Sequence, residues 1–353
     1  MNKLCTLRAK MIDAEIDAII VNDELNQRYL SGFDFTDGFI IVTAENAYLV
    51  TDFRYYEMAL NAVSGEFTVV TPKNRKEYID DVLRKDGVKK LGVEGDALSY
   101  SDYMDFKSAH PSYELINIKD MIVEIRKVKS PDEIEKIQKS QDITDAAFGH
   151  VVKMINYNMT EIDVAAELEY AMKKLGSEGT AFGTIAVSGD ASALPHGTPR
   201  NVKLKKGFLT MDFGSKFEGY CSDMTRTVVI GKADEEMKKL YNTVLAAQKA
   251  ALDYLREGRD CYLADKTARD IIDAEYKGSF GHSLGHSVGL LVHERPALSP
   301  MSSGVLLTPG NVVTVEPGIY LFGKYGCRIE DMVAICENGI HNFTHSPKEL
   351  IEI

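Results

Sequence analysis

Apolar positions in this chain recur with two periods, and the switches between them predict the elements. The opening residues form an amphipathic helical pattern that meets acids at Asp13, Glu15 and Asp17. Short apolar runs follow at residues 17–22, 38–42, 47–51, 67–71 and 90–94, and these read as strands. Helical patterns are expected after Asp52 and over 76–85. Strands alternating with helices predict an α/β domain with a mixed sheet over residues 1–124. A polar link at 124–130 then meets a strong helix start: Ser130 as N-cap, Pro131 at the first helical position, and Glu133 closing a capping box. Ile134, Ile137, Ala147, Val151 and Ile155 follow on one helical face. A second box, Thr160 with Asp163, opens a helix that stops at Gly176. From there the expectation is a strand at 182–187, a loop at 188–200 around Pro195-His196-Gly197, and a hairpin. Two helices at 234–256 and 260–276 and a second hairpin complete an α+β domain over 125–353.

Composition narrows the function classes. A length of 353 residues favours two domains, and 44% hydrophobic with 27% charged residues describes an ordinary globular chain. A formal net charge of −12 argues against nucleic acid or an anionic membrane as partner. No apolar run approaches the ~20 residues needed to span a bilayer, and the N-terminus does not read as a signal peptide. Cys5, Cys221, Cys261, Cys327 and Cys336 show no CxxC spacing. Free thiols in a reducing, cytoplasmic compartment are expected. No strand of the first domain leads into a phosphate-binding glycine loop, so a nucleotide site is not expected there. Thr51-Asp52-Phe53-Arg54-Tyr55 reads equally as a site or as a strand end capping the next helix.

The chemistry concentrates in the hairpins. Asp212 and Asp223 are set into the first, Glu316 and Glu330 into the second, all in apolar strand contexts. A carboxylate in an apolar strand is costly unless neutralised. Two facing carboxylates either look to solvent or hold a cation between them. Between the hairpins lie Gly281-His282-Ser283-Leu284-Gly285-His286-Ser287-Val288-Gly289 and then His293. If the hairpins converge, four carboxylates and one imidazole form a mainly oxygen cage that suits Mn, Co, Fe or Zn, enough for two bridged ions.

The ordered set Met211-Asp212-Phe213-Gly214, Ser222-Asp223-Met224-Thr225-Arg226-Thr227, the His286 and His293 segment, Val315-Glu316-Pro317-Gly318-Ile319-Tyr320 and Arg328-Ile329-Glu330-Asp331 resembles the pita-bread metallopeptidases. That family includes methionine aminopeptidase, aminopeptidase P and prolidase. Tyr29-Leu30-Ser31-Gly32-Phe33 and the Thr51 cluster are similar to the creatinase-type domain that precedes it in the proline-directed branch. The resemblance implies a creatinase-type α/β domain followed by a pita-bread α+β catalytic domain. It implies Asp212, Asp223, His286, Glu316 and Glu330 as ligands of two divalent ions, manganese first, with Co, Zn or Fe as alternatives. By the same resemblance His196 and His293 stabilise the tetrahedral intermediate, Glu316 moves the proton, and His282 and Arg328 line the site. The implied substrate is a proline-containing peptide cut after its first residue, and the implied assembly is a homodimer. Aminopeptidase P stands first, Xaa-Pro dipeptidase second, and a non-catalytic or creatinase-like protein third.

Three positions depart from the family pattern. Ser287 stands where glycine is usual, so different packing is expected around His286. Gly183 stands where a polar residue is common. Ala297 stands where prolidases often carry an arginine that grips a dipeptide's carboxylate, with Arg295 on the other side of Pro296 as the only nearby substitute.

Overall fold

Asn2, Asp23, Asp52, Asn74 and Ser99 each turn a side-chain oxygen onto a backbone N–H two or three residues ahead, and each starts a helix. The computed structural model describes residues 2–353. Its contacts divide the chain into two units, Met1–Arg126 and Lys127–Ile353. In the first, α1 (Lys3–Asp13), β1 (Ala18–Val21), α2 (Glu24–Ser31), β2 (Phe39–Thr43), β3 (Ala47–Val50) and α3 (Phe53–Ala62) come in that order. They are followed by β4 (Thr68–Val70), α4 (Arg75–Lys85), β5 (Lys90–Val93), α5 (Tyr100–Ala109), β6 (Glu114–Asn117) and α6 (Met121–Arg126). The sheet order is β4-β3-β2-β1-β5-β6. The β1–β2 and β2–β3 pairs are antiparallel and the others parallel, so the sheet is mixed as expected.

Four elements of this unit were not expected from the sequence. Helix α5 buries none of its residues, and β6 lies at the sheet edge with none of its residues buried. Helix α2 buries Asn26 and Gln27, whose amides bond to Glu94 and to the backbone carbonyls of Val21 and Gly38. Amides buried with their hydrogen bonds satisfied interrupt the apolar face that a sequence pattern would show. Helix α6 runs through Arg126 with Ile122 and Ile125 buried, so the expected link at 124–130 shortens to 127–130.

The second unit holds α7 (Pro131–Val151), α8 (Glu161–Lys174), β7 (Ile185–Ser188), a single 3-10 turn (Gly189–Ala193), β8 (Gly207–Phe213), β9 (Lys216–Phe217), β10 (Tyr220–Cys221) and β11 (Met224–Ile230). Then come α9 (Glu235–Tyr254), α10 (Cys261–Tyr276), β12 (Gly285–Ser287), β13 (Glu294–Leu298), β14 (Val312–Val315), β15 (Gly318–Leu321), β16 (Tyr325–Arg328), β17 (Asp331–Cys336) and β18 (Gly339–Asn342). Both capping boxes form. Residues of α7 and α8 (Ala147, Val151, Val164, Leu168) pack with Leu209, Met211 and Val228 of an antiparallel β11-β8-β7 sheet. Residues of α9 and α10 (Leu240, Val244, Ala264, Ile272) pack with Val313, Val315 and Val333 of the antiparallel β13-β12-β14-β17-β18 sheet. Each half therefore lays a helix pair on an antiparallel sheet. Among the described residues no helix is long and apolar enough to cross a membrane.

Two glycines permit the backbone approaches on which this unit depends. A Cβ at Gly214 would lie 1.9 Å from the Ser222 carbonyl oxygen, and one at Gly285 would lie 2.0 Å from that of Thr314. Both obstacles are backbone, which cannot swing aside. Gly214→Ala should therefore destabilise the protein by about 1–3 kcal/mol, the usual cost of overpacking. Urea unfolding would show this as a lower midpoint at unchanged slope, and an unmoved midpoint would contradict the close packing.

Candidate metal centre

The carboxylates of interest do not all sit at strand centres, as the sequence reading supposed. Asp212 is inside β8 and pairs with Thr225 of β11, whereas Asp223 directly precedes β11. Glu316 directly follows β14 and Glu330 directly precedes β17, where Val315 pairs with Asp331. Inside a ladder, successive side chains must alternate between faces. A residue at a strand end is free of that alternation and can turn toward a shared point. Backbone bonds still fix the two breaks: the Glu316 N–H donates to the Leu284 carbonyl (2.8 Å), and the Glu330 N–H to that of Thr225 (3.1 Å).

A cavity of about 500 Å³ opens at this point. Its lining includes Asp212, Asp223, His286, Glu316 and Glu330, together with His196, His282, His293 and Arg328. Ligand atoms of Asp223, His286 and Glu330 lie within 4.8 Å of one another. His286 Nε2 stands 3.2 Å from Glu316 Oε1 and 3.5 Å from Asp223 Oδ2. Its Nδ1–H donates to the Ser287 carbonyl (3.3 Å), and although burial opposes a charged ring, the Glu316 carboxylate raises the His286 pKa, so without an ion Nε2 carries a proton toward the carboxylates. The His286 and His293 rings meet edge to face, with centroids 4.3 Å apart.

So many acids in one buried place push each other's ionisation about. Burial, then Glu330, Asp212 and Glu316, raise the Asp223 carboxyl well above its usual range. Burial, Glu316 and Asp212 do the same to Glu330. Burial also raises Asp212, against the pull of the Arg328 guanidinium. Burial opposes ionisation of Glu316 too, yet its bond to the His286 imidazole holds it down at about 2. Burial lowers His293, as does His286 beside it, which favours a neutral imidazole. Asp212 Oδ1 and Glu330 Oε1 are buried without a hydrogen-bond partner among the described residues. Buried acceptors without donors, beside carboxyls that repel, are what a cation would satisfy. The donor set fits divalent ions held by Asp212, Asp223, His286, Glu316 and Glu330.

One side of the cavity is a hydrogen-bonded chain. Arg328 donates to Asp212 Oδ2 (2.6 Å), to the Tyr320 hydroxyl (2.8 Å) and to Thr225 Oγ1 (2.9 Å), and Thr225 in turn donates to Glu330 Oε2 (2.8 Å). The Tyr320 hydroxyl donates to His282 Nε2 (2.9 Å), because His282 Nδ1 is committed to the Ser283 carbonyl (2.8 Å). Tyr320, Thr225 and Thr314, which donates to Glu316 Oε1 (3.1 Å), were missed as site residues. Thr225 and Tyr320 lie within the quoted motifs and Thr314 directly precedes one, but nothing in a motif says which neighbour of a candidate ligand turns inward. Arg295 is the one expected site residue that the structure leaves outside: its side chain is exposed and is not part of the cavity lining, whereas Ala297 is.

Known proteins match both units. Residues 135–337 fit the family model described as metallopeptidase family M24, and residues 3–128 fit the creatinase/prolidase N-terminal domain. The chain is 39% identical over 344 residues to the Xaa-Pro dipeptidase of Pyrococcus furiosus, covering 97% of each. It resembles the solved structure of an Xaa-Pro dipeptidase from Bacillus anthracis (TM-score 0.95, 38% identity, 99% of both chains). It also resembles that of an X-Pro aminopeptidase from Thermotoga maritima (TM-score 0.91, 37% identity, 96% of this chain and 98% of the other).

The raised carboxyls make a stability prediction with a definite sign. Without metal, folded Asp223 and Glu330 retain protons that the unfolded chain releases near pH 4. Stability must therefore fall as pH rises above about 4 and through their raised folded values. Metal-stripped protein should lose thermal midpoint as pH rises above about 4, and Mn²⁺ should stabilise it by about 2.7 kcal/mol at a hundredfold excess over Kd. Glu330→Gln should raise the midpoint of stripped protein and shrink the Mn²⁺ response. A lower midpoint in the stripped variant would contradict the repulsion.

Proposed function

The chain belongs to metallopeptidase family M24, and we propose that within it this protein is an exopeptidase of the aminopeptidase P kind, releasing the residue that precedes proline. Ala297 carries the choice. It lines the cavity, at the position where prolidases often carry an arginine that grips a dipeptide's carboxylate, and Arg295 lies outside the lining. Among the described residues that line the cavity there is no lysine, and the arginine, Arg328, is engaged by Asp212 and Tyr320. A substrate whose chain continues beyond proline needs no such cation. Xaa-Pro dipeptidase is the second reading, favoured by the relatives from Pyrococcus furiosus and Bacillus anthracis, which carry that name.

Divalent ions bound at the five-residue cage, manganese by the oxygen-rich donor set, would supply Lewis acidity toward the carbonyl and activate water. The protein's own groups do the rest. Glu316, held ionised beside His286, takes the proton of the attacking water and returns it to the leaving nitrogen. His293, neutral and on the cavity wall, offers an N–H to the developing oxyanion, and His196 from the Pro195–Gly197 loop offers a second. Phe182, Ile185 and Val292 give the lining an apolar side suited to a proline ring.

Mn²⁺-loaded protein should hydrolyse an Xaa-Pro-Xaa tripeptide with higher kcat/KM than the matching Xaa-Pro dipeptide. Ala297→Arg should raise kcat/KM on the dipeptide about tenfold, as one added charge-assisted hydrogen bond would. Cleavage of the dipeptide alone by the unaltered protein would reverse the order of the two readings.

A further inference from the structure

Lys129 lies in the short segment ahead of α7, its backbone N–H anchored on the Gly310 carbonyl (2.8 Å). Its side chain is only 2% exposed, an unusual place for an ammonium. Nζ stands 3.1 Å from Glu294 Oε2, itself on a side chain 5% exposed, and 3.1 Å from Oγ of the fully buried Ser287. Ser287 is the residue after His286, and Glu294 is the residue after His293. One buried cation thus ties the two ends of the loop that separates the two histidines facing the cavity.

The contacts around that cation continue into the site. The Ser287 carbonyl receives His286 Nδ1–H, the bond that aims Nε2 at Glu316 and Asp223. Glu294 Oε1 accepts the Leu291 N–H (3.2 Å), and its carboxylate packs on Gly289, where a Cβ would fall 2.6 Å from Oε2. The β12–β13 register slips between His286 and Ser287, so ladder pairing alone does not hold the two strands in step there. Removing one partner of a buried ion pair leaves the other charge uncompensated, and the neighbouring backbone must then move to solvate it.

We propose that Lys129 is a positioning residue that sets both imidazoles of the metal centre, His286 through Ser287 and His293 through Glu294. This rests on the reading of His286 as a metal ligand and His293 as a donor to the substrate carbonyl. Lys129 touches neither ring. Its effect is the angle at which each ring enters the cavity, and residues that orient ligands in this way typically govern affinity and rate by 10- to 100-fold.

The test compares full-length unaltered protein with Lys129→Met, Lys129→Arg and Ser287→Gly. The readouts are calorimetric Mn²⁺ affinity, the visible absorption spectrum of the Co²⁺-loaded protein, and kcat and KM on an Xaa-Pro-Xaa peptide. Lys129→Met should weaken Mn²⁺ binding and lower kcat, each by about 10- to 100-fold, alter the Co²⁺ bands, and leave KM within about threefold. Lys129→Arg should recover part of both losses. Ser287→Gly, which removes one hydroxyl and keeps the ion pair, should shift Mn²⁺ affinity and the Co²⁺ bands in the same direction by less. A fall in kcat with Mn²⁺ affinity and Co²⁺ bands unchanged would mark only a smaller folded fraction and overturn the proposal. If Lys129→Met does not fold, Ser287→Gly with unaltered affinity and spectrum overturns it equally. Failure of the unaltered protein to take up Mn²⁺ would instead overturn the site reading on which the proposal rests.

Discussion

Mutual repulsion among four carboxylates in one largely buried cavity is the constraint on which the catalytic unit depends. Asp212, Asp223, Glu316 and Glu330 share the space with His286 and the guanidinium of Arg328. Those cations do not suffice: Asp223 and Glu330 remain raised well above the ordinary range, and one oxygen each of Asp212 and Glu330 goes without a donor. A fold that keeps such a cluster gives up stability unless the cluster binds positive charge. The same feature that weakens the ion-free protein gives the filled site its affinity and its chemistry.

The scaffold meets this constraint by rigidity. Helices α7 and α8 brace one hairpin and α9 and α10 the other, each through a continuous apolar core. Glycines at 214 and 285 let backbones approach where the ligand-bearing segments turn. Along one side of the cavity, Arg328, Tyr320 and Thr225 connect Asp212, His282 and Glu330 in one hydrogen-bonded chain. Near the histidines, Lys129 serves as a second anchor. Neither arrangement is chemically reactive. Both fix where reactive groups point, and a displacement of about 1 Å at a site of this kind can cost 10²-fold in rate.

Much of this was legible in the sequence because the acids of the cavity lie in strongly patterned segments. Acids interrupting apolar runs at 212, 223, 316 and 330 stand out against any core, and the capping boxes at Ser130 and Thr160 announced their helices. Helix α2 was illegible because it buries amides where a stripe of apolar residues would be expected. Ser287 was recognisable as a departure, but its partner Lys129 lies 158 residues away, and no local pattern connects them. Tyr320 stood inside a quoted motif and was still overlooked, because its role depends on a bond to His282 that only the folded β15 creates. Arg295, two residues from His293 in sequence, was expected at the site and is turned out of the cavity lining.

The central claim is that these five side chains bind metal where the structure brings them together. Anomalous diffraction from crystals grown with Mn²⁺, recorded near the manganese edge, tests it directly. The account predicts two anomalous peaks, about 3.5–4 Å apart, within coordination distance of Asp212, Asp223, His286, Glu316 and Glu330. A map with no peak there, or with manganese only at other carboxylates, would contradict it.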